Sequence, residues 1–307
     1  MLDITDRDLL QTISDIKYIP PESAYNIRKN GEGIERRNNE NVEITTKPDK
    51  PGIDIKVRAG STGETVYIPV LLTETGLNDK VYNDFFIGDG ASVTIVAGCG
   101  IHNSGCMESR HDGIHRFFIG KNAHVKYVEK HYGEGDGSGA RVLNPATEVY
   151  IDENGSCDME TVQIKGVDST VRETVAELGK DAKFTVTERI MTHGRQHAES
   201  NMRVELNGDG ASSRIVSRSV AKDESSQVFH PVAVGNARCA AHVQCDSIIM
   251  SKARISSVPA IEANDEYAQI VHEAAIGRIN NEQLLKLMTF GLTPEKAEEV
   301  IIEGFLK

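Results

Sequence analysis

The chain has no tryptophan, and aromatic residues make up only 5% of its 307 residues. A core without large aromatic rings must be filled by Val, Ile, Ala and similar side chains, and 27 glycines accompany them here. Because protein interiors are close-packed, such small side chains require their backbones to lie close together. This composition therefore favours narrow, stacked β-structure over a broad globular core.

Clustered positive charge is also missing. Lys and Arg number 34 against 46 Asp and Glu, which gives a formal net charge of −12. Nucleic acids and anionic membrane surfaces are bound by clustered cations, so both are disfavoured as partners. No apolar run approaches the roughly 20 residues that span a bilayer, which argues against a membrane permease. The start, "MLDITDRDLL", lacks the basic and apolar regions of a secretory signal, so we expect a cytoplasmic protein.

A repeat occupies the middle of the chain. Six segments share a pattern of β-prone residues, a tight turn, and more β-prone residues, at steps of 32, 32, 27, 29 and 27 residues. Their turn positions are Gly88, Gly120, Asp152, Gly179, Gly208 and Gly235. Repeats of this length are typical of solenoids, and the absence of helical periodicity between them predicts a β-helix over residues 49–262. A β-sandwich of hairpins is the alternative, because turns such as G-D-G also close hairpins.

The two ends of the chain differ from the middle. Residues 5–16 predict a helix with Thr5 as N-cap and Asp8 three residues later. Residues 17–50 read as loop with one helix, which makes residues 1–48 a helical and irregular N-terminal region. Residues 263–307 form a C-terminal helical region.

Two helices are expected in that C-terminal region. Gly291 ends the first, Thr293 caps the second, and Pro294 occupies its first position. An apolar stripe follows the second helix at Ala297, Val300, Ile301 and Phe305. Either the chain's own β-domain or a partner protein must bury it.

The stretch from Ala97 to His115 is rich in soft metal ligands, which are Cys99, His102, Cys106, His111 and His115. On a strand, the two histidines at 111 and 115 share a face but lie about 13 Å apart. The cysteine spacing is longer than that of structural zinc sites. A local zinc finger is therefore disfavoured, and a site shared with distant residues or a second subunit stays open.

The remaining candidate residues lie towards the C-terminus. The five cysteines form an odd set, which favours free thiols over a disulfide framework. Strand alternation places Cys239 and Cys245 on one face and His242 on the other. This pattern favours a structural role in which both thiols fill a solenoid interior, and a reactive role is the alternative. The adjacent pair His272–Glu273 is a weak signal by itself. No Walker motif occurs, so any ATP must be bound by another protein.

Several C-terminal motifs nevertheless resemble one family. "VQCDSIIM", "VPAIEA" and "VHEAAIGRINNEQLLKLMTFGLTPEKAEEVIIEGF" are similar, in this order, to the C-terminal third of the SufB/SufD family of iron–sulfur cluster assembly proteins. The upstream segments "GKNAHVKYVEKHY" and "SSRIVSRSVAKDESS" also resemble their counterparts. The likeness covers roughly residues 85–307, and the length suggests a short, archaeal-type member.

The resemblance implies a fold, partners and an activity. It implies a mainly β protein, a right-handed parallel β-helix (solenoid) core with short helical N- and C-terminal regions. Two subunits, identical or paralogous, would pair, and the C-terminal helical region would dock a SufC-type ABC ATPase. The chain would be a scaffold and not an enzyme, carrying a transient iron–sulfur cluster and no nucleotide. The residues expected to contact the ATPase are Leu284, Leu287, Val300, Ile301 and Phe305.

The resemblance also implies residue roles. Cys245 falls on the family's Q-C-D-S cysteine, and His272 and Glu273 fall on its H-E-A motif, all implicated in holding the nascent cluster. Cys99 matches the cysteine associated with accepting sulfur. The family's further Cys and His before P-x-I-E are absent from "SKARISSV", so the ligand set differs, and the secondary candidates are Cys106, His111, His115 and Cys239.

An enzymatic alternative remains, in which a β-helix polysaccharide lyase or hydrolase uses carboxylates in a cleft. Such enzymes are usually secreted and carry an acidic groove with Arg or Lys. The thiol pattern and the absence of a secretory signal disfavour this alternative.

Overall fold

A computed structural model describes residues 2–16 and 18–307 of the chain. It is mainly β, with 56% strand and 10% helix, and it forms a β-solenoid of about eight turns with three short helices at the termini. The predicted β-helix with helical ends is confirmed.

The helices are α1 (Ile4–Ser14), α2 (Asn281–Thr289) and α3 (Pro294–Phe305). The strands up to residue 151 are β1 (Ala24–Lys29), β2 (Glu32–Arg37), β3 (Val42–Thr46), β4 (Gly52–Val57), β5 (Glu64–Leu72), β6 (Asn78–Ile87), β7 (Ser92–His102), β8 (Ser109–Ile119), β9 (His124–Glu134), β10 (Arg141–Leu143) and β11 (Ala146–Ile151). The later strands are β12 (Ser156–Lys165), β13 (Ser169–Leu178), β14 (Lys183–Thr192), β15 (His197–Leu206), β16 (Ser212–Ala221), β17 (Ser226–Gly235), β18 (Ala240–Ile249), β19 (Arg254–Ser257), β20 (Ala260–Ala263) and β21 (Gln269–Gly277).

The strands form two sheets, which we call sheet A and sheet B. Sheet A runs in the order β2-β1-β5-β7-β9-β12-β14-β16-β18-β21, and sheet B runs β19-β17-β15-β13-β10-β8-β6-β4-β3, with β11 and β20 beside this path. Successive strands alternate between the sheets through the middle of the chain, and neighbours within each sheet there are parallel. Parallel neighbours rule out the alternative of a hairpin sandwich, whose consecutive strands pair antiparallel.

The repeated turns stack on one another, as their spacing predicts. The backbone N–H of Gly120 donates to the Ile87 carbonyl at 2.9 Å, and Asp152 donates to Ile119 at 3.0 Å one turn later. Each turn of the solenoid therefore repeats the backbone path of the turn before it.

Small and medium side chains fill the interior. Along β8 buried and half-buried residues alternate at every position, as a strand with one face inside requires. The few large rings stack in register, with Phe85 and Phe117 centroids 4.3 Å apart. The interior thus packs as successive rows, each contributed by one turn.

The N-terminal region differs from the prediction in two respects. Helix α1 begins one residue earlier, with Asp3 as its N-cap and Asp6 as the reciprocal partner, so Thr5 is not the cap. The short carboxylate of Asp3 accepts the Asp6 backbone N–H at 2.9 Å, and the Asp6 carboxylate accepts the N–H of Asp3. The segment expected to be loop with one helix instead contains strands β1–β3, which join the first edges of both sheets.

The C-terminal helices end and begin as predicted. Gly291 follows α2 with a φ of +93°, Thr293 caps α3 through its side chain, and Pro294 is the first residue of α3. The strand ladder, however, continues through β21, past residue 262 where we placed its end. The reason is that β21 pairs with β18 over nine residues, which the sequence repeat does not reveal. Among the described residues, no helix is long and apolar enough to cross a membrane.

Candidate functional site

The structure brings Cys245 and His272 together. They lie on the adjacent parallel strands β18 and β21, where Val243 pairs with His272 and Cys245 pairs with Ala274. Val243 and Cys245 are consecutive inward-facing residues of β18, so His272, which lies beside Val243, is close to the thiol. Its Nε2 lies 3.2 Å from Cys245 Sγ. A thiol and an imidazole in contact are two of the ligand types that iron accepts.

The environment keeps both groups uncharged. Cys245 is only 3% exposed, and burial raises the pKa of its thiol to about 11. Burial also lowers the pKa of His272, with a smaller contribution from the nearby His242. At neutral pH the pair is therefore a thiol and a neutral imidazole, and the sulfur becomes a strong ligand only after losing its proton.

Glu273, which the resemblance places in the same cluster, faces the other side of β21. Its Oε2 lies 3.3 Å from His242 Nε2, on the outer surface of the last two strands of sheet A. Adjacent residues on a strand point to opposite faces, so Glu273 cannot share the side occupied by His272. His242 is a candidate ligand that the sequence analysis did not select, although the alternation around Cys245 already placed it on that outer face.

A small cavity lies next to Cys245 inside the solenoid. Its volume is about 20 Å³, and the buried carboxylate of Glu188 forms one wall. Ser200 and Ser217 donate hydrogen bonds to Glu188 at 2.8 and 3.0 Å. Cys245 thus borders a polar interior rather than a wholly apolar one.

Cys99 lies inside the solenoid several turns earlier, between two glycines that face outward. A Cβ on Gly98 would lie 2.7 Å from the backbone oxygen of Ile13, and one on Gly100 would lie 3.0 Å from Leu9. Helix α1 therefore packs directly on β7 behind the thiol. Burial, and then the charges of Asp79 and Glu129, raises the pKa of Cys99 well above its usual value.

Two of the three histidines in the stretch from Ala97 to His115 converge, and the third does not. His111 and His115 are buried, and both point over Gly113, while His102 is half-buried and contacts Glu134 at 3.1 Å. The separation of about 13 Å expected between His111 and His115 is the distance between their backbones along the strand. The two side chains lean towards each other because Gly113 places no side chain between them.

A buried ion network joins these histidines to the interior near Cys245. Arg172 donates to Glu129 at 2.5 Å and lies 3.8 Å from Glu188. Burial opposes ionisation of Glu129, but the charge of Arg172 and the neighbouring His131 hold its pKa well below the usual range. No local sequence pattern predicts this network, because Glu129, Arg172 and Glu188 lie on three different strands.

The secondary cysteine candidates are not part of the Cys245 site. Cys239 is buried within the apolar core, and Cys106 is exposed. In residues 2–16 and 18–307, no three His, Cys, Asp or Glu side chains are already arranged as a set that could hold a metal ion.

The residues expected to contact an ATPase divide between the surface and the chain's own core. Phe305 packs beside Val220 and Met250 of the solenoid, whereas Val300 is 39% exposed. Leu284, Leu287 and Ile301 are half-buried. The most exposed apolar side chains of the helical pair are instead Leu285 and Phe290, which the sequence analysis missed.

A large open groove lies elsewhere, on the outer face of sheet B. Its volume is about 710 Å³, and Phe86, Phe118 and Tyr150 line it as a stacked row of rings. It contains none of the thiols or histidines described above, so it does not belong to the candidate site.

Comparisons with known proteins show the family to which the chain is similar. The family model of the SufBD core domain, described as SUF system FeS cluster assembly, matches residues 83–305. An iron-sulfur cluster assembly SufBD family protein of Methanocaldococcus jannaschii is 28% identical, covering 97% of this chain and 98% of its own. One from Pyrococcus horikoshii is 26% identical, covering 96% and 85%, and one from Archaeoglobus fulgidus is 26% identical, covering 80% and 66%.

The match covers Cys245, His272, Glu273 and Cys99, as well as both C-terminal helices. These relatives give no support to the alternative of a polysaccharide lyase or hydrolase. The chain belongs to the SufBD family, whose members take part in iron–sulfur cluster assembly.

Proposed function

We propose that this chain is a cytoplasmic scaffold subunit on which a transient iron–sulfur cluster is built, with Cys245 and His272 as ligands from one subunit. The observation that carries the proposal is the 3.2 Å contact between Cys245 Sγ and His272 Nε2 at the end of the solenoid. Thiolate and imidazole both ligate iron, and imidazole in place of thiolate suits a labile site.

The buried state of Cys245 fits a cluster that is held only for a time. Iron binding must displace the thiol proton. Burial opposes this loss, because it raises the pKa of the Cys245 thiol to about 11. Opening the end of the solenoid would expose the sulfur, lower the cost of its negative charge, and admit iron. Closing it again would favour release of the cluster to a recipient.

A second subunit would complete the ligand set. Strand β21 is the last strand of sheet A, and Val271 and Ile276 on it are 51% and 45% exposed. An exposed strand edge with apolar side chains is a ready site for pairing with another chain. Two copies meeting there would bring two Cys245–His272 pairs to one interface, with Glu273 at its rim.

Cys99 is proposed as the sulfur acceptor. It would take a sulfane sulfur from a donor persulfide, forming a new S–S bond while the donor thiolate leaves, with no net change in electrons. Cys99 and Cys245 lie on strands five steps apart in sheet A, or about 24 Å, so direct transfer between them is excluded.

The interior between the two thiols is polar along one column. Glu129, Thr161, Glu188 and Ser217 occupy successive strands of sheet A in register and lead to Cys245. All four are buried. This column supports an interior route for sulfur towards Cys245.

A SufC-type ATPase is proposed to dock on α2 and α3 and to supply the energy for opening. The exposed Leu285 and Phe290 provide an apolar surface for it. ATP hydrolysis would therefore occur in the partner, and this chain would contribute the cluster ligands.

The test is anaerobic reconstitution with iron and sulfide in the presence of the ATPase. Cys245→Ser should lose at least tenfold in bound iron and acid-labile sulfide, and His272→Ala should lose a similar amount. Cys239→Ser is the matched control, because Cys239 is also a buried thiol beside β18, whereas the sulfur in contact with His272 Nε2 is that of Cys245. Equal iron content in Cys245→Ser and Cys239→Ser would refute the proposal.

A further inference from the structure

A glycine separates two buried histidines on β8 whose side chains converge. A Cβ placed on Gly113 would lie 3.2 Å from His111 Nε2 and 3.5 Å from His115 Nε2. The backbone of Gly113 has no positive φ, so it does not need glycine for its conformation. What glycine provides here is an open space that faces two imidazole nitrogens.

That space is part of an enclosed cavity of about 10 Å³, lined by Cys99, His111, Gly113, His115, Glu129 and His131 among others. A cavity of this size holds about one water molecule or one ion. Its walls combine apolar side chains with nitrogen, oxygen and sulfur atoms, unlike the wholly apolar core next to it.

The hydrogen-bond partners of His111 determine which of its two ring nitrogens is unprotonated. That nitrogen faces the cavity. Nδ1 lies 3.0 Å from Asp79 Oδ2, and Asp79 also accepts two hydrogen bonds from Arg28. A carboxylate held by Arg28 can only accept, so His111 must donate from Nδ1. In the neutral ring, Nε2 is then unprotonated and points at the space over Gly113.

His115 also donates from its Nδ1. Its Nδ1 lies 2.7 Å from the Tyr127 hydroxyl, which in turn lies 2.9 Å from Glu129 Oε1. Tyr127 gives its single proton to the Glu129 carboxylate, so its oxygen accepts from His115 Nδ1. Burial keeps the His115 ring neutral, and its Nε2 also presents a lone pair.

A third polar side chain, that of Asn83, contacts His115. The Asn83 Nδ2 group is 3.3 Å from His115 Nε2, while Asn83 Oδ1 is buried without a hydrogen-bond partner. Asn83 is only 4% exposed. A half-turn of its amide would bring Oδ1 next to His115 Nε2, where it could act as a ligand.

We propose that His111, His115 and Asn83 form a binding site for a single first-row divalent cation over Gly113, inside the solenoid and separate from the Cys245–His272 pair. The two imidazole nitrogens must each move inward by roughly 1 Å to reach coordination distance. Asp79 and the Tyr127–Glu129 pair orient the two rings from behind, as carboxylates and hydrogen-bond partners commonly do for metal-ligating histidines. Water or the neighbouring groups of the cavity fill the remaining positions.

The decisive variant is Gly113→Ala. Its methyl group fills the space and removes none of the three ligands, and a strand position without positive φ accommodates alanine. The protein is produced in cells grown with added cobalt, in a Cys245→Ser background so that the other site does not contribute. Cobalt per chain and the visible spectrum of the bound ion are then measured.

The parent should retain about one cobalt per chain with a spectrum of nitrogen and oxygen ligation, and Gly113→Ala should retain at least tenfold less. His197→Gln, which alters a histidine on the partly exposed β15, should retain the parental amount. If Gly113→Ala does not fold, His115→Gln decides in its place. Parental cobalt in the folded variant, or no cobalt in the parent, overturns the site. Neither result bears on the proposed cluster function, which Cys245→Ser tests separately.

Discussion

Arg172 is the cation that stabilises two buried carboxylates inside the solenoid. It is 4% exposed, donates to Glu129 and lies beside Glu188, which is 1% exposed. Each carboxylate borders one of the two thiol cavities. The charge of Arg172 therefore stabilises negative charge beside both thiol cavities of the interior.

We expect Arg172→Met to lower the free energy of unfolding by about 3–5 kcal/mol, because it leaves buried carboxylates without their cation. Urea denaturation followed by circular dichroism measures the change. Arg189→Met is the control, since its contact with Glu160 is partly exposed and should cost less than about 1 kcal/mol. Equal losses in the two variants would show that the interior network contributes no more than a surface ion pair.

At the level of single residues, the motifs predicted the Cys245–His272 pair and placed Glu273 in the same cluster, although Glu273 faces the other side of β21. The period of a strand places His272 and Glu273 on opposite faces, so one sulfur cannot contact both within a chain. Strand alternation alone predicts these opposite faces once "QIVHEAAIG" is taken as a strand. The partner of Glu273, His242, depends on the register of β18 against β21, which the sequence does not specify.

Helices α2 and α3 use their apolar residues in two different ways. Ala297, Ile302 and Leu306 are buried, and the last two pack with Val220 and Met250 of the solenoid. Leu285 and Phe290 on the α2 side are 61% and 75% exposed. In the sequence, the buried and the exposed apolar residues belong to the same helical pattern. Only the packing of α3 against the solenoid shows which of them are buried.

Replacing both Leu285 and Phe290 by Ser should reduce co-purification of a SufC-type ATPase by at least about tenfold, because interface energy concentrates in a few large apolar side chains. The free energy of unfolding should stay within about 0.5 kcal/mol of the parent value, since both side chains are exposed. Ile4→Ser, at an 80% exposed position on α1, is the control and should bind normally. Undiminished binding by the double variant would place the ATPase elsewhere.

The whole molecule has two different ends. At the first, antiparallel strands β2 and β3 close the sheets, and α1 covers β7. At the second, β19, β20 and β21 are the final strands, and several of their apolar residues are exposed. This second end also carries Cys245, so subunit pairing and cluster binding would use the same surface.

Val271→Lys should therefore weaken self-association by about tenfold or more, because a lysine would be buried without a partner at the interface. Analytical ultracentrifugation over a range of concentrations measures the dissociation constant. Ile34→Lys, on the opposite terminal strand β2, provides the control and should associate as the parent does. A parent that stays monomeric throughout would exclude this edge as the interface.

The sequence by itself determined the solenoid, the stacked turns, the helical ends and the family, because each is encoded by local periodicity, turn residues or contiguous motifs. Only the tertiary structure decided that Glu273 contacts His242, that His111 and His115 converge over Gly113, and that Arg172 joins Glu129 to Glu188. The first and last of these contacts connect residues from different turns of the solenoid, and the two imidazoles are oriented by Asp79 and Tyr127 on other strands. Their formation depends on the register between strands, and register is set by the packing of the whole interior rather than by any one segment.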